Sequence, residues 1–256
     1  MKDKKVVLLA GEWDSTPIVY HYLQDFVTVP LVIIEDPVPR KKFLMNRVKK
    51  LGYVTVAGQV LFQLFVGKIL RKRASTRIRQ ILAINGLKSK PIPEDLVHKV
   101  SSVNDAKTLA ILQECSPDLV IVHGTRIISK KLLQQINCPC INIHAGITPR
   151  YRGSHGAYWA LANNDKENCG VTVHLVDAGI DTGNILAQEC IEITDKDNFS
   201  TYPYLQLAKG LELLKKVMGD LFAGKLTEKR NDLNSSLWYH PTIWYYLKKR
   251  ISGKIR

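Results

Sequence analysis

The chain has 256 residues, 45% of them hydrophobic, and this composition excludes an intrinsically disordered protein. Its length suits one sizeable domain with an appendage, or two small domains. The formal net charge of +14 comes from one segment, because residues 40–90 contain fourteen Lys or Arg and no Asp or Glu. The rest of the chain is therefore close to neutral.

The five cysteines are an odd number, and the sequence begins without a secretory signal, since the polar residues 1–5 run directly into an apolar segment. Both features predict reduced thiols in a cytoplasmic protein. Cys138 and Cys140 do not have zinc-finger spacing, and no second pair lies at a suitable distance. The sequence therefore predicts no metal site.

The first elements in chain order predict a β-α-β unit. Val6–Ala10 and Val29–Ile34 are continuous apolar runs typical of buried strands, and Ile18–Phe26 has helical spacing after Pro17. Continuous apolar strands that flank a helix favour a parallel sheet covered on both faces. The sequence therefore predicts the α/β class, with a Rossmann-like, doubly wound, mostly parallel sheet.

Residues 40–90 interrupt this rhythm. The uncharged stretch Leu51–Gly67, seventeen residues long, lies between clusters of Lys and Arg. Four interpretations remain open: two core helices with solvated basic ends, a basic helix on an anionic membrane surface, a polyanion-binding segment, or a membrane anchor at the lower limit of length.

The α/β pattern then resumes up to the C-terminal region. Strands are predicted at Asp118–His123, Cys140–Ile143, Val171–Leu175 and Ile185–Ile193, and helices at Asp105–Cys115, Ser129–Ile136 and Asn198–Met218. Residues 238–256 are aromatic and then basic. They suit an arm packed over the domain, contact with a membrane interface, or stacking on single-stranded nucleic acid.

The polar residues that can carry chemistry are concentrated between Cys140 and Gln188. Asn142 and His144 are two residues apart at the end of a short apolar strand, so both side chains point to one face. Functional residues of open α/β sheets gather at the carboxyl ends of strands. An amide and an imidazole there, with a carboxylate from another loop, can stabilise the oxyanion of an acyl transfer. The alternative is a structural histidine beside an ordinary turn at Asp181.

Several elements together resemble the formyltransferase family, which includes glycinamide ribonucleotide formyltransferases, methionyl-tRNA formyltransferases and nucleotide-sugar N-formyltransferases. They are Asn142-Ile-His144, Pro149-Arg-Tyr-Arg-Gly153, Gly170-Val-Thr-Val-His174 and Asp177-Ala-Gly-Ile-Asp181-Thr-Gly183. The resemblance is strong over residues 105–190, extends to residues 4–36, and does not cover residues 40–90 or the last fifty residues. It implies a catalytic domain at residues 1–205, with residues 40–90 as a basic helical insertion. Residues 206–256 are then a C-terminal helix and an aromatic, basic tail.

The resemblance also implies roles for individual residues. Asn142 and His144 would polarise the formyl oxygen, and Asp181 would tune His144 and take part in proton transfer. The formyl donor would be 10-formyltetrahydrofolate, with no metal or nucleotide cofactor. The implied donor-binding residues are Thr125, Arg126, Ile127, Ile128, His174, Val176, Asp177, Gly179 and Ile180.

Two departures from the family pattern concern the acceptor. Residues 145–148 are Ala-Gly-Ile-Thr, where many members carry Ser-Leu-Leu, and this affects how the acceptor is placed. Residues 11–14, Gly-Glu-Trp-Asp, lack the phosphate cradle of the glycinamide ribonucleotide enzymes, which argues against a purine-pathway acceptor. The preferred acceptor is an amino-sugar nucleotide or a similar small amine, and the main alternative is a charged initiator tRNA.

Three further expectations stay open from the sequence. Water could replace the amine, as in formyltetrahydrofolate hydrolases, or the chain could be a non-enzymatic membrane or RNA adaptor. The basic segment predicts peripheral contact with an anionic membrane. The sequence does not fix the oligomeric state.

Overall fold

The computed structural model describes residues 1–253 and 255. Residues Tyr53–Ile84 form one continuous helix, which contains a π-helical segment at Phe62–Gly67. In chain order the strands and helices are β1 (Val6–Gly11), α1 (Thr16–Gln24), β2 (Val32–Glu35), α2 (Arg40–Leu51), α3 (Tyr53–Leu61), α4 (Lys68–Ile84), β3 (Val97–Val100), α5 (Ala106–Cys115), β4 (Leu119–His123), α6 (Lys130–Leu133), β5 (Cys140–His144), β6 (Arg152–Gly153), α7 (Gly156–Ala162), β7 (Gly170–Leu175), β8 (Ile185–Cys190), α8 (Tyr202–Phe222), β9 (Leu237–Trp238) and α9 (Ile243–Ile251).

The main sheet has seven strands in the order β3-β2-β1-β4-β5-β7-β8. The strands from β3 to β5 are parallel to one another, and β7 is antiparallel to both β5 and β8. This arrangement confirms the predicted α/β class and the mostly parallel, Rossmann-like sheet. A second, small sheet pairs β6 with β9 in parallel.

Strand β1 shows why this sequence needs cover on both faces of the sheet. Val6 and Leu8 belong to one hydrophobic core, and Val7 and Leu9 belong to another on the opposite face. All four side chains have no exposed surface. Helices α1 and α8 cover the first face, and α5 and α6 cover the second. A strand buried on both faces is apolar at every position, which is the pattern read from the sequence.

Each strand and helix predicted around the sheet is present, with ends shifted by a few residues. Ser129 caps α6 as predicted, because its hydroxyl accepts the backbone N–H of Leu132 at 3.2 Å. The predictions missed β3, α7 and the two short strands of the small sheet. Edge strand β3 exposes His98 and Lys99, so it lacks the apolar signal of the central strands.

The basic segment forms α2, α3 and α4, and only part of it belongs to the core. No residue of α2 is buried, so this basic helix lies on the surface. Tyr53–Ile84 is long and apolar enough to cross a membrane by length and composition, a property that it shares with core helices of soluble proteins. Only 28% of its most apolar window is buried. Its buried side includes Phe62, Leu70 and Ile81.

The described residues of the C-terminal region, 238–253 and 255, form an arm packed over the domain, one of the three interpretations of that region. Residues 254 and 256 lie outside the described part of the chain. Strand β9 pairs with β6, and the Trp238 ring stacks on Trp159 with 4.5 Å between centroids. Helix α9 packs against α3. The boundary expected between residues 205 and 206 lies inside α8.

Candidate active site

Two cavities lie near the carboxyl end of β5, and Ile143 lines both. The first has a volume of about 420 Å³. The structure brings every predicted catalytic and donor-binding residue to this one cavity. Its lining includes Thr125, Arg126, Ile127, Ile128, Asn142, His144, His174, Val176, Asp177, Gly179, Ile180 and Asp181.

Asn142 is oriented by His174 on the neighbouring antiparallel strand. Nδ1 of His174 lies 2.7 Å from the carbonyl oxygen of Leu175, which can only accept, so this nitrogen carries the proton. In the neutral ring, Nε2 is then an acceptor, and it lies 3.1 Å from Nδ2 of Asn142. The amide therefore donates one N–H to the histidine, and this contact fixes which side of the carboxamide faces the cavity.

His144 is almost fully buried, with 5% of its surface exposed. Its Nε2–H donates to the carbonyl oxygen of Tyr151 at 2.7 Å, and Nδ1 lies 3.3 Å from Oδ2 of Asp181. Burial alone would lower the pKa of His144. The charge and hydrogen bond of Asp181 and the carbonyl of Tyr151 outweigh burial, so the pKa lies above its ordinary value. Both ring nitrogens face oxygen acceptors, an arrangement that suits the imidazolium form with both N–H groups engaged inside the protein.

Asp181 joins these groups into one network. Its Oδ2 accepts the backbone N–H of Gly153 at 2.8 Å, and its Oδ1 lies 3.7 Å from Nε2 of His174. Burial would raise its pKa, but the positive charge and hydrogen bond of His144 and the Gly153 N–H hold the pKa far below its usual range. Its backbone has a φ of +51°, a left-handed conformation that Asp tolerates better than most residues. The turn thereby directs the carboxylate toward both histidines.

The loop that carries the Pro149-Arg-Tyr-Arg-Gly153 motif positions the network from the other side. Gly153 has a φ of +93°, and a side chain there would collide with the backbone carbonyl of Trp238. Arg152 donates to the carbonyl of Ile180 at 3.1 Å. The motif thus connects the loop of Asp181 to strand β9, which explains why glycine stands at this position.

Glu35, a residue missed in the sequence, holds the loop of Thr125–Ile128. Its buried carboxylate at the end of β2 accepts the backbone N–H groups of Val103 and Arg126. The guanidinium of Arg126 lies 3.7 Å from the same carboxylate. The available signal was an acidic residue ending an otherwise apolar buried strand, where a carboxylate needs nearby donors.

The sequence also did not associate the basic insertion or the C-terminal arm with this cavity. Arg47 of α2 lines it, and so do Leu237, Trp238 and Tyr239 of the arm. Trp238 is held by its Nε1–H, which donates to the carbonyl of Arg150 at 2.9 Å. No local motif marks these residues, since they reach the site only through long-range packing.

The second cavity has a volume of about 490 Å³ and is lined mainly by apolar groups. Burial lowers the pKa of His123 to about 4, of His155 to about 3 and of His240 to about 4, so all three are neutral at pH 7. Lys68 and Arg71 of α4 also line it. The basic insertion therefore supplies one wall of this cavity.

Within residues 1–253 and 255, no group of three or more His, Cys, Asp or Glu is placed so that it could hold a metal ion.

Ser15, at the N-terminus of α1, contacts His123 at 2.8 Å. Nε1–H of Trp13 donates to the carbonyl of Gly124 at 2.7 Å, and Trp13 lines the second cavity. Trp13 belongs to residues 11–14, the segment that lacks the phosphate cradle of the glycinamide ribonucleotide enzymes.

The fold and the site define a Rossmann-like α/β protein with a buried imidazole–carboxylate pair and an amide donor, a set of groups suited to acyl transfer. The family model described as "Formyl transferase" matches residues 72–216, which is more than half of the chain. The chain therefore belongs to the formyl transferase family.

Curated proteins similar to this chain include methionyl-tRNA formyltransferases. The protein from Caldanaerobacter subterraneus subsp. tengcongensis is 34% identical over 142 residues, 55% of this chain and 45% of the relative. The one from Thermodesulfovibrio yellowstonii is 33% identical over 155 residues, 60% of this chain and 47% of the relative. The chain thus spans about half the length of these relatives.

Solved structures show the same fold at low sequence identity. A sugar N-formyltransferase from Shewanella sp. FDAARGOS_354 aligns with a TM-score of 0.55 and 18% identity, covering 91% of this chain and 76% of that one. Phosphoribosylglycinamide formyltransferase from Anaplasma phagocytophilum aligns with a TM-score of 0.57 and 18% identity, covering 93% of this chain and all of that one. At this identity the likeness concerns the fold.

Proposed function

We propose that this protein transfers a formyl group from 10-formyltetrahydrofolate to a primary amine. The observation that carries the proposal is the network of Asn142, His174, Asp181 and His144 along one side of a cavity of about 420 Å³. Family membership supports formyl transfer as the reaction, and the five unpaired cysteines suit the cytoplasm as its place.

The first cavity would hold the folate. The loops Thr125–Ile128 and Val176–Ile180 border it, and they suit a ring system that needs several donors and acceptors in fixed positions. The buried carboxylate of Glu35 holds the first loop through the backbone N–H of Arg126. In this proposal the formyl group points toward Asn142 and His144.

The reaction needs only a proton and two bond changes at the formyl carbon. The amine nitrogen attacks this carbon, a C–N bond forms, and the carbonyl electrons move to oxygen. When the tetrahedral intermediate collapses, the bond from carbon to N10 of the folate breaks, and the amine proton is transferred to N10. The oxyanion is the species that the site must stabilise.

Asn142 and His144 would stabilise this oxyanion in different ways. One N–H of the Asn142 amide is engaged by His174, which leaves the other for the oxyanion. Both N–H groups of His144 are engaged by Tyr151 and Asp181, so this ring contributes through its positive charge. A positive charge in a buried site acts more strongly than in water.

Asp181 has two conceivable roles, holding the imidazolium or collecting the amine proton. Its pKa is far below the usual range, which makes the carboxylate a weak base. This supports the role of holding and charging His144.

The second cavity would hold the acceptor, on the other side of Ile143 from the folate. Its volume of about 490 Å³ suits a small molecule, and its apolar interior is bordered by Lys68 and by Arg71, which pairs with Asp14. The preferred acceptor is therefore an amino-sugar nucleotide or a similar small amine that carries phosphate. The reported sugar N-formyltransferase structures share this fold.

A charged initiator tRNA is the second candidate acceptor. The curated relatives are methionyl-tRNA formyltransferases, and the cations of residues 40–90 could contact phosphates. The affinity for a tRNA acceptor would fall steeply as the salt concentration rises, and this dependence distinguishes tRNA from an amino-sugar nucleotide.

The test supplies the purified chain with 10-formyltetrahydrofolate and, in separate reactions, amino-sugar nucleotides, charged initiator tRNA or no acceptor. Release of tetrahydrofolate identifies the acceptor. Asn142→Ala should lower kcat by roughly 10²–10³-fold, whereas Asn46→Ala, an exposed amide on α2, should leave it unchanged. Turnover that survives Asn142→Ala combined with His144→Ala would overturn the site assignment.

A further inference from the structure

The most unusual surface of the molecule is an apolar face on α3, the π-helical segment and the start of α4. Val54 is 74% exposed, Phe65 is 59% exposed and Ile69 is 53% exposed. Val54, Leu61 and Phe65 are seven and four residues apart, a spacing that puts them on one side of a helix. A contiguous exposed apolar surface of this kind marks an interaction site.

The C-terminal arm extends this face. The ring of Trp244 lies against Gly58, which is on the same side of α3 as Val54 and Leu61. Trp244, Leu247 and Ile251 are exposed, and they are three and four residues apart on α9. Two segments that are distant in the sequence therefore form one surface, here called the apolar face: Val54, Leu61, Leu64, Phe65, Ile69, Trp244, Leu247 and Ile251.

Cations surround the apolar face on both helices. Residues 40–90 carry fourteen Lys or Arg and no acidic residue, and α9 contains Lys248, Lys249 and Arg250. Within residues 1–253 and 255, only three of the fourteen form ion pairs: Arg71 with Asp14, Arg77 with Asp197 and Lys88 with Asp25. Most of the positive charge is therefore available to an external partner.

We propose that the apolar face docks on the surface of an anionic phospholipid membrane. Apolar side chains would enter the boundary between headgroups and acyl chains, Trp244 would lie at headgroup level, and the surrounding cations would contact lipid phosphates. Each Lys or Arg near such a surface adds attraction, as does each buried apolar group. Charge and hydrophobicity thus act together on one face.

The helix lies along the membrane surface and does not cross it. Its opposite side is packed into the domain, where Phe62 contacts the rings of Phe199, His240 and Tyr246. Arg77 of α4 is paired with the buried Asp197 at 2.9 Å. Crossing would break these contacts and leave an unpaired charge in the protein interior.

The observations favour a membrane over the other conceivable partners. RNA phosphates would use the cations but leave the Leu, Ile and Phe side chains exposed. A second copy of the chain would bring like charges together, since neither the basic segment nor α9 offers an acidic residue. The relatives and solved structures described above do not indicate membrane contact, so the proposal depends on this chain's own surface.

The test is sedimentation of the full chain with vesicles of phosphatidylcholine, with and without phosphatidylglycerol at about one third of the lipid. Binding is expected only with the anionic lipid, and it should weaken as salt rises from roughly 0.1 M to 0.5 M. Phe65→Ser should lower the partition coefficient by about tenfold. Ile84→Ser is the matched control, because Ile84 is 77% exposed on the same helix, about 28 Å further along, and outside the apolar face.

The cations are tested separately. Lys72→Gln with Arg73→Gln should lower binding by about fivefold per charge. Lys130→Gln with Lys131→Gln, an exposed basic pair on α6, should leave it unchanged. Circular dichroism and the thermal midpoint of each variant verify folding.

Several outcomes would overturn the proposal. They are an absence of binding to anionic vesicles, equal losses in Phe65→Ser and Ile84→Ser, or binding of tRNA through the same cations without vesicle binding. Concentration-dependent self-association that Phe65→Ser abolishes would assign the face to a second copy instead.

Discussion

At the scale of single residues, the orientation of Asn142 depends on a histidine that the sequence linked only to the folate. His174 accepts from the Asn142 amide through Nε2 because its Nδ1–H is committed to the carbonyl of Leu175. This contact makes His174 a positioning residue for the proposed reaction. It also fixes a tautomer, which solution measurements can detect.

Replacing His174 should therefore affect kcat more than KM. His174→Phe removes the acceptor and should lower kcat by about tenfold or more, since the carboxamide can then rotate. His174→Gln should restore part of the rate, because its amide oxygen can accept near the position of Nε2. Steady-state kinetics of both variants and ¹⁵N NMR of the wild-type ring test this. A ring protonated only at Nε2, or equal losses in Phe and Gln variants, would contradict it.

Asp181 should control the pH dependence of the site through His144. The carboxylate helps to raise the pKa of His144, so Asp181→Asn should lower that pKa and move the alkaline decline of kcat to lower pH. The same raised pKa contributes stability that is present below about pH 6.5 and lost as pH rises through the folded-state pKa. Asp181→Asn should remove that contribution as well.

The measurement is the pH–rate profile together with NMR titration of the His144 ring. Asp220→Asn, an exposed carboxylate at the end of α8, should leave both unchanged. An unshifted profile in Asp181→Asn would show that His144 titrates independently of this carboxylate.

At the scale of elements, the sequence predicted what local pattern determines. The apolar runs of β1 and β4 and the cap at Ser129 were visible because each depends on a few neighbouring residues. Asn142 and His144 could be paired because alternation along β5 puts both on one face. The predicted roles of the site residues remain predictions.

Other features depend on packing between distant segments, and the sequence could not supply them. Strand β9 has two residues, and its position follows from pairing with β6 and from the contact between Trp238 and Trp159. The support of the Thr125–Ile128 loop by Glu35 joins residues about ninety positions apart. A buried carboxylate and a short strand carry no periodic signal.

Helix α8 packs closely against strand β5 at Gly210, and this contact can be tested by substitution. A methyl group added at Gly210 would overlap the side chain of Ile143 and lie 3.0 Å from Val171. Gly210→Ala should therefore destabilise the protein by about 1–2 kcal/mol. It should also lower kcat, because Ile143 lies between Asn142 and His144 on β5.

Gly219 is the matched control on the same helix, since nothing lies within 4 Å of a methyl group added there. Gly219→Ala should stabilise the protein by about 0.5–1 kcal/mol through helix propensity. Chemical denaturation and kinetics of both variants provide the comparison. Equal effects of the two substitutions on stability and on kcat would show that α8 can move away from the sheet at no cost to either.

At the scale of the whole molecule, three neutral histidines line the second cavity and link its chemistry to global stability. The pKa of His123 is lowered to about 4, of His155 to about 3 and of His240 to about 4. In the unfolded chain each would have a pKa of about 6.5. Between these values the unfolded state binds more protons than the folded state.

Stability should therefore fall as the pH is lowered from about 6.5 toward 4. At pH 5 each of these histidines should cost up to about 2 kcal/mol relative to pH 7, a large fraction of a typical total of 5–15 kcal/mol. The raised pKa of His144 acts in the opposite direction and offsets part of this loss. Asp118, Asp181 and Asp197 have lowered pKa values, so they stay ionised in this window and contribute little.

His155→Asn separates this effect from general acid sensitivity. His155 has a φ of +61°, and Asn adopts that left-handed conformation readily without titrating. The loss of unfolding free energy between pH 7 and pH 5, measured by urea denaturation, should shrink by about 2 kcal/mol in this variant. His98→Asn, at an exposed position on β3, should leave the loss unchanged. If His155→Asn and the wild type lose the same free energy, His155 is protonated in the folded protein, and the second cavity carries a positive charge at pH 5.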